Sequence, residues 1–277
     1  MGLRIATNIA SQNVQKNLKD VSSAGDAQLE KLSSGKRITK ASDDAAGLAI
    51  ATNLEAQTKG LRQASRNAND GVSLVQTAEG GLNETSNILT RLRELTVQAA
   101  SDTVGETERG FLDKEYQQLS KEVDRISEST VFNGTQLLNG KGKGTMDFQV
   151  GAFAGEQNKI TFDSGESDAS AANIGIASTG ISNKDDALSS ISSIDKAIEK
   201  VSGQRATLGS VQSRLQSTIK NLEVQTINQD SARSMIQDVD VAQASAALAS
   251  TSVVKNAAVS TLAQANQIPN SALRLLN

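Results

Sequence analysis

The side chains that most often do chemistry near neutral pH are missing from this chain of 277 residues, which has no His, no Cys and no Trp. The commonest acid/base group, the strongest nucleophile and the usual zinc ligands are therefore absent. Carboxylates and Lys remain. Ser42-Asp43-Asp44 sets two acids side by side ahead of Ala45-Ala46-Gly47-Leu48-Ala49-Ile50. Acid/base or metal work would need companions that cannot be placed, whereas a helix N-cap with acids complementing the helix dipole needs nothing more. Ser42 or Asp43 is the expected cap. Gly140-Lys141-Gly142-Lys143-Gly144 has the glycines of a phosphate loop without the Walker spacing or a following helical pattern, and reads as a flexible turn. Asn83-Glu84-Thr85 and Asn133-Gly134-Thr135 match the N-glycosylation sequon, a short pattern of little weight, and the first lies in an expected helix. No catalytic, metal or cofactor site is expected.

The elements that carry these residues follow from composition and period. With 2% aromatic residues, a large globular core would have to be built from Leu, Ile, Val and Ala, a supply that suits long paired helices. Net charge is −3 with acids and bases interleaved, so the chain lacks the basic surface that nucleic acid requires. Leu54, Leu61, Ala68, Val75, Leu82 and Leu89 recur at every seventh position, and Ala64, Ala78, Leu92 and Ala99 form a second row three residues on. That double row is a heptad seam, the pattern with which helices pair lengthwise. From Leu54 to Ala99 such a helix is roughly 70 Å long at the usual rise. Gly71, Gly80 and Gly81 lie inside it, each weakening it by roughly 1 kcal/mol relative to Ala. Close approach of a neighbouring helix is the expected reason for them.

Asp102 to Gly105 reads as a turn, followed by an amphipathic stretch with Leu112, Leu119, Val123 and Ile126 on one face. It ends near the turn signal Phe132-Asn133-Gly134. From 139 to about 183 glycines recur and helical period disappears. Met146, Phe148 and Val150 alternate with polar residues, as do Ile160 and Phe162, which predicts a two-stranded hairpin. Phe132, Phe148, Phe153 and Phe162 are expected to cluster and pin it to the helices. The heptad returns in Ile191, Ile194, Ile198, Val201, Leu208, Leu215, Ile219 and Leu222, with Arg205 and Gln212 as the expected polar breaks that fix register.

Both ends are apolar along one stripe. Leu3, Ala6, Ala10, Val14, Leu18 and Val21 match a C-terminal stretch, Val239 to Asn277, with Asp240, Lys255 and Arg274 as its only charges. Asn256 to Leu273 is uncharged, yet Asn256, Gln264, Asn266, Gln267, Pro269 and Asn270 make it too polar for a bilayer, so no membrane insertion is expected. A single helix with one apolar face is marginal by itself, so each end needs the other or another molecule. Asn8, Gln12, Asn13 and Lys16 interrupt any apolar core of a cleavable signal peptide, and Ala6 fails the myristoylation pattern opened by Gly2. Secretion would have to use a non-cleaved signal.

The stretch Lys31–Ala51, Lys-Leu-Ser-Ser-Gly-Lys-Arg-Ile-Thr-Lys-Ala-Ser-Asp-Asp-Ala-Ala-Gly-Leu-Ala-Ile-Ala, resembles the N-terminal signature of bacterial flagellins. Leu92–Ala100, Glu122–Ile126, Phe132-Asn133-Gly134, Phe148–Ala152 and Leu262–Gln267 resemble further flagellin segments in the expected order.

The resemblance implies a mainly α fold: an inner coiled-coil domain from 1–40 and 236–277, and a helical rod domain from 41–235 that carries a small β-hairpin region at about 139–183. Large outer domains are expected to be absent. It implies a secreted, non-enzymatic subunit that polymerises into the extracellular flagellar filament. The chain ends would be disordered in the monomer and would pair on assembly through Leu3, Ala10, Val14, Leu18, Val21, Val241, Leu248, Val254, Ala258, Leu262 and Ala265. Implied partners are copies of itself, a flagellar export chaperone, hook-associated and cap proteins, and the vertebrate flagellin-sensing Toll-like receptor. The receptor motif of the family aligns with Arg91, Leu95, Gln98 and Glu115. The zinc peptidase of some flagellins requires His, which this chain lacks. The rival assignments are a hook–filament junction protein, with similar chain ends, and a type III secretion translocator, which needs a better bilayer-spanning segment.

Overall fold

The computed structural model of the protein describes residues 7–142 and 144–274. The chain divides into two compact units, one from Met1–Ala56 with Asn228–Asn277 and the other Gln57–Ile227. Both divisions fall inside continuous helices, α2 (Ala45–Ala99) and α5 (Lys184–Gln237), so no linker in the sequence marks them.

In the unit 57–227, α2 buries Leu61, Ala68, Val75, Leu82 and Leu89 in one row and Ala64, Ala78, Leu92 and Ala99 in the other, as the heptad predicts. Thr85 is buried in the second row, and its hydroxyl donates to the Gly81 carbonyl four residues back, which leaves no polar group unpaired in the seam. The glycines divide. A Cβ on Gly71 would lie 3.2 Å from Phe148 and 3.3 Å from Leu215, and one on Gly81 would lie 2.7 Å from Leu138 and Thr130. Around Gly80 nothing lies within 4 Å, so close approach does not account for that glycine.

The C-terminus of α2 is closed by Arg109, nine-tenths buried, whose guanidinium donates to the carbonyls of Ala99 (2.7 Å) and Ser101 (2.9 Å). The Ala99 carbonyl is one that the helix end leaves without a backbone partner, while that of Ser101, in the turn beyond, also accepts from the Val104 N–H. Helix α3 (Glu106–Ser129) starts with Glu106 and Glu108 in its first turn, favourable for the dipole. Val123 is fully buried and Leu112 and Leu119 half-buried, but the largest side chain on that face is Tyr116.

A tight turn at Asn133 (φ 46°) and Gly134 (φ 76°) joins the two-residue strands β1 (Val131–Phe132) and β2 (Thr135–Gln136). Both central residues have the left-handed backbone that a type I′ turn demands. The expected hairpin is β3 (Thr145–Gln149) and β4 (Lys159–Asp163), with Met146 opposite Phe162 and Phe148 opposite Ile160. Phe162 is buried, and Phe132 and Phe148 pack against the same core. Phe153 does not join them; it is 59% exposed.

A stretch that shows no period in the sequence then supplies Ile174, Ile176 and Ile181 to the core, around the short helix α4 (Ala171–Ile174). Helix α3 holds it by side chains. Asp124 accepts from the Ala171 N–H (2.7 Å), Asp113 accepts from the Ile181 N–H (2.9 Å), and the Tyr116 hydroxyl bonds that of Thr179 (2.5 Å).

Helix α5 buries Ile194, Val201, Leu208, Leu215 and Leu222 as expected. The buried polar residues inside its seam are Ser190 and Gln204, not Arg205 or Gln212, which are half-buried beside it. The Gln204 amide donates to the carbonyls of Glu166 (3.1 Å) and Asp168 (2.8 Å). It ties the loop after β4 to the helix.

In the other unit, α1 (Ile9–Ser34) packs against α6 (Val241–Arg274). Asn8 caps α1 by accepting from the Ser11 N–H (3.0 Å), and Gly35 ends it in the left-handed region at φ 69°. Asp240 caps α6 through the N–H groups of Ala242 and Gln243. The molecule is mainly α, with long helices and small antiparallel hairpins.

Candidate assembly surface

The residues of Lys31–Ala51 each have a structural task in the unit 1–56/228–277. Gly35 turns the chain out of α1, and its carbonyl accepts from the Val239 N–H (3.0 Å). The Arg37 N–H donates to the Gln237 carbonyl (2.7 Å) and its guanidinium to that of Ile236 (2.6 Å). Ile38 is buried, and a Cβ on Gly47 would come within 2.8 Å of its Cδ1, so the helix needs a glycine there to seat Ile38.

The α2 cap is Asp44, which accepts from the Gly47 N–H (2.8 Å), rather than Ser42 or Asp43. Asp43 is engaged elsewhere: its carboxylate accepts from the N–H groups of Thr39 and Lys40 and from the Thr39 hydroxyl. Those donors, the Thr39 and Lys40 N–H groups first, hold its carboxyl below the usual carboxylate range.

The chain-end residues fall into two sets. Val14, Leu18, Val21, Leu248, Ala258 and Leu262 are half-buried and Ala265 is buried, all on heptad rows of α1 and α6. Ala10, Val241 and Val254 are exposed, as are Ile9, Leu29, Val253 and Val259, which sequence reading did not single out. Leu3 lies outside the described residues. The pair therefore closes one apolar seam on itself and leaves further apolar side chains facing out. From 241 to 267, α6 carries one charged residue, Lys255, so little charge opposes burial of those side chains.

On the unit 57–227, the Arg91 guanidinium donates to Glu115 (Nη2 2.9 Å, Nε 3.1 Å) and to Glu94 (3.1 Å). Glu115 foremost, then Glu94, raises its already high pKa. Gln98 is exposed about two turns further along α2. Leu95 does not join this surface; it is 1% exposed and belongs to the core. Phe111 on α3 is 63% exposed, with the Lys114 ammonium 5.6 Å from its ring centre. It was not singled out from the sequence; its place off the buried face of α3 is the only signal.

Long helices with heptad seams, terminal helices from both chain ends paired together, and apolar residues left outside that pair define a helical subunit built for association. Residues 5–143 match the bacterial flagellin N-terminal helical region and residues 191–276 the bacterial flagellin C-terminal helical region. The chain is 43% identical to a flagellin of Halalkalibacterium halodurans over 97% of its own length and 98% of that protein's. It is 39% identical to a flagellin of Bacillus subtilis over 99% of this chain and 100% of that one. A crystal structure of Bacillus cereus flagellin superposes with TM-score 0.51 at 32% identity, covering 57% of this chain and 88% of that one. The chain belongs to the bacterial flagellin family, and is of minimal size at 277 residues. Flagellins are structural proteins of the flagellar filament, not enzymes. No helix among the described residues is long and apolar enough to cross a membrane.

Proposed function

We propose that this flagellin polymerises through its chain ends, with the α1–α6 pair forming the inner layer of the filament and the helical unit around the hairpin forming the rod outside it. The observation that carries this reading is the second set of apolar residues, Ala10, Val241 and Val254 with Ile9, Leu29, Val253 and Val259, left exposed on a pair whose own seam is already filled. Those on α6, where one residue from 241 to 267 is charged, can be buried against another molecule at little cost in desolvated charge. Export runs through the flagellum-specific secretion channel with an export chaperone, and growth proceeds with hook-associated and cap proteins. The test is seeded growth followed by electron microscopy, with far-UV circular dichroism alongside. Long filaments with a gain in helix support the reading; soluble protein, or rings that never elongate, would assign the chain to the hook–filament junction instead.

A second reading concerns the monomer. We infer that the vertebrate flagellin-sensing Toll-like receptor engages the face formed by Arg91, Gln98 and Glu115. Glu115 and Glu94 hold the Arg91 guanidinium in one orientation, so less side-chain freedom is lost on binding. Leu95 acts from behind, by packing α2 against the core. Arg91→Ala and Gln98→Ala monomers should lose receptor signalling in a reporter cell; full signalling by both would remove this face from the interface.

A further inference from the structure

Among the described residues two phenylalanine rings stand exposed, Phe111 and Phe153. A single exposed apolar side chain is ordinary, but the loop that carries Phe153, Gly151-Ala152-Phe153-Ala154-Gly155, is fixed so as to display it. The Asn67 side-chain amide donates to the Gln149 carbonyl (3.0 Å), and that of Gln149 donates to the carbonyls of Gly151 (3.0 Å) and Phe153 (2.8 Å). Ala152 packs against Leu61, Ala64 and Leu222. A Cβ on Gly60 would lie 3.2 Å from the Ala152 Cβ, so α2 keeps a glycine where the loop sits down. Ala152 thus seats the loop, and the next residue is presented outward. With Gly and Ala on both sides, the ring stands on a slim, uncharged stem.

One hairpin length away, the same unit has an open groove of about 560 Å³. Buried Leu74 is its floor, half-buried Phe132 and Met146 line it, and Thr145 and Asp147 stand at its rim. A ring and a thioether are good neighbours for another aromatic ring. Asp147 does not oppose such an occupant, because its carboxylate is engaged by Lys159 Nζ (3.4 Å) and by the Thr161 hydroxyl (3.1 Å). Phe153 cannot fill the groove of its own chain. Its stem sits at Gly60 and the floor is Leu74, roughly 21 Å further along α2 at the usual rise. Phe111 is a poorer occupant, since the Lys114 ammonium 5.6 Å from its ring centre would be carried in with it and desolvated.

We propose that the Phe153 ring of one subunit inserts into the groove of Leu74, Phe132 and Met146 on a second copy of this chain within the filament. This rests on the reading of the chain as a polymerising subunit. Knob and groove are different patches, so every copy offers one of each and the contact can repeat from subunit to subunit. A phenylalanine buries about 150–250 Å², far below the roughly 1,200 Å² of a stable interface. The contact therefore holds between copies already joined elsewhere, which places it in the filament and not in a solution dimer. The hydrogen bonds of Gln149 fix the stem beforehand, so little loop freedom is lost when the ring docks.

The absence of native Cys allows the contact to be read by cross-linking full-length protein. Ala154→Cys and Thr145→Cys, both at exposed positions, leave the ring and the groove floor intact. The two single variants are mixed in equal amounts, grown on wild-type seeds and treated with a short bismaleimide. A cross-linked dimer should form in the mixed filaments and not in filaments of either variant alone. Phe153→Ala should raise the critical concentration for growth about ten- to thirtyfold, the loss typical of a buried aromatic anchor. Its melting temperature as a monomer should stay unchanged, because the ring is exposed there. Mixed filaments without the dimer would overturn the contact, as would a dimer in Ala154→Cys filaments alone, which sets loop against loop. An unchanged critical concentration in Phe153→Ala would overturn it too. In each of these cases filaments still grow and the assembly reading stands. Failure of wild-type protein to elongate seeds is a different result: it refutes the assembly reading, and the contact falls with it.

Discussion

Leu95→Ala separates packing from recognition within one family motif. Leu95 is 1% exposed, inside the core shared by α2, α3 and α5. The substitution removes three carbon centres, a transfer loss of about 2.4 kcal/mol at roughly 0.8 per methylene. The cavity left behind adds to that, and buried Leu→Ala changes span about 2.7–5.0 kcal/mol, so about 3–4 kcal/mol is expected here. Domains are stable by roughly 5–15 kcal/mol, so the variant should still fold but unfold at clearly lower denaturant. Arg91 sits on the surface, with its side chain 50% exposed and its partners Glu94 and Glu115 at 63% and 45%, and Arg91→Ala should leave the midpoint almost unmoved. Urea unfolding read by far-UV circular dichroism and by emission of the only Tyr, Tyr116, gives both numbers, since no Trp competes. The two variants should then part in opposite senses: Leu95→Ala loses stability and keeps signalling while folded, Arg91→Ala keeps stability and loses signalling. An unmoved midpoint in Leu95→Ala would refute the buried placement. Signalling lost by fully folded Leu95→Ala would refute its supporting role.

Gly80→Ala and Gly81→Ala should shift the melting temperature in opposite directions. The first gains up to about 1 kcal/mol of helix propensity with open space around the new methyl, whereas the second meets Leu138 and Thr130 at 2.7 Å, an overpacking worth about 1–3 kcal/mol. Equal shifts in thermal melts would contradict the close packing at Gly81. The Tyr116 phenol should titrate above its ordinary value of about 10, because burial foremost disfavours its anion. Its folded pKa being raised, the stability it contributes is complete below about pH 10 and is lost as pH rises through the folded value. Near-ultraviolet absorbance should show a high midpoint that returns to the ordinary one in denaturant; the same midpoint in both states would place Tyr116 at the surface.

The long helices and the two strands of the hairpin were legible because their signals are local. A seven-residue period, a two-residue alternation and an Asn-Gly turn each report the geometry of their own segment. Side-chain assignments that depend on a neighbouring element were less legible. Ser42, Asp43 and Asp44 are all capable caps, and the role falls to Asp44 because Thr39 and Lys40 engage Asp43. The seam of α5 passes through Gln204 because loop carbonyls at 166 and 168 wait for its amide, information held nearly forty residues away.

The sequence by itself determined that the chain is helical at both ends, lacks the groups for His- or Cys-based catalysis and belongs with flagellins, since composition, period and signature are properties of one strand of text. Only the tertiary structure decided which of those residues face outward. It put Leu95 inside and Arg91 outside, gave Val14 to the α1–α6 seam and Val254 to the exterior, and set the Asn8 amide against the carbonyl of Ala265, 257 positions on. Each of these depends on how one helix is rotated and aligned against another, a quantity fixed by packing and hydrogen bonds between segments distant in the chain.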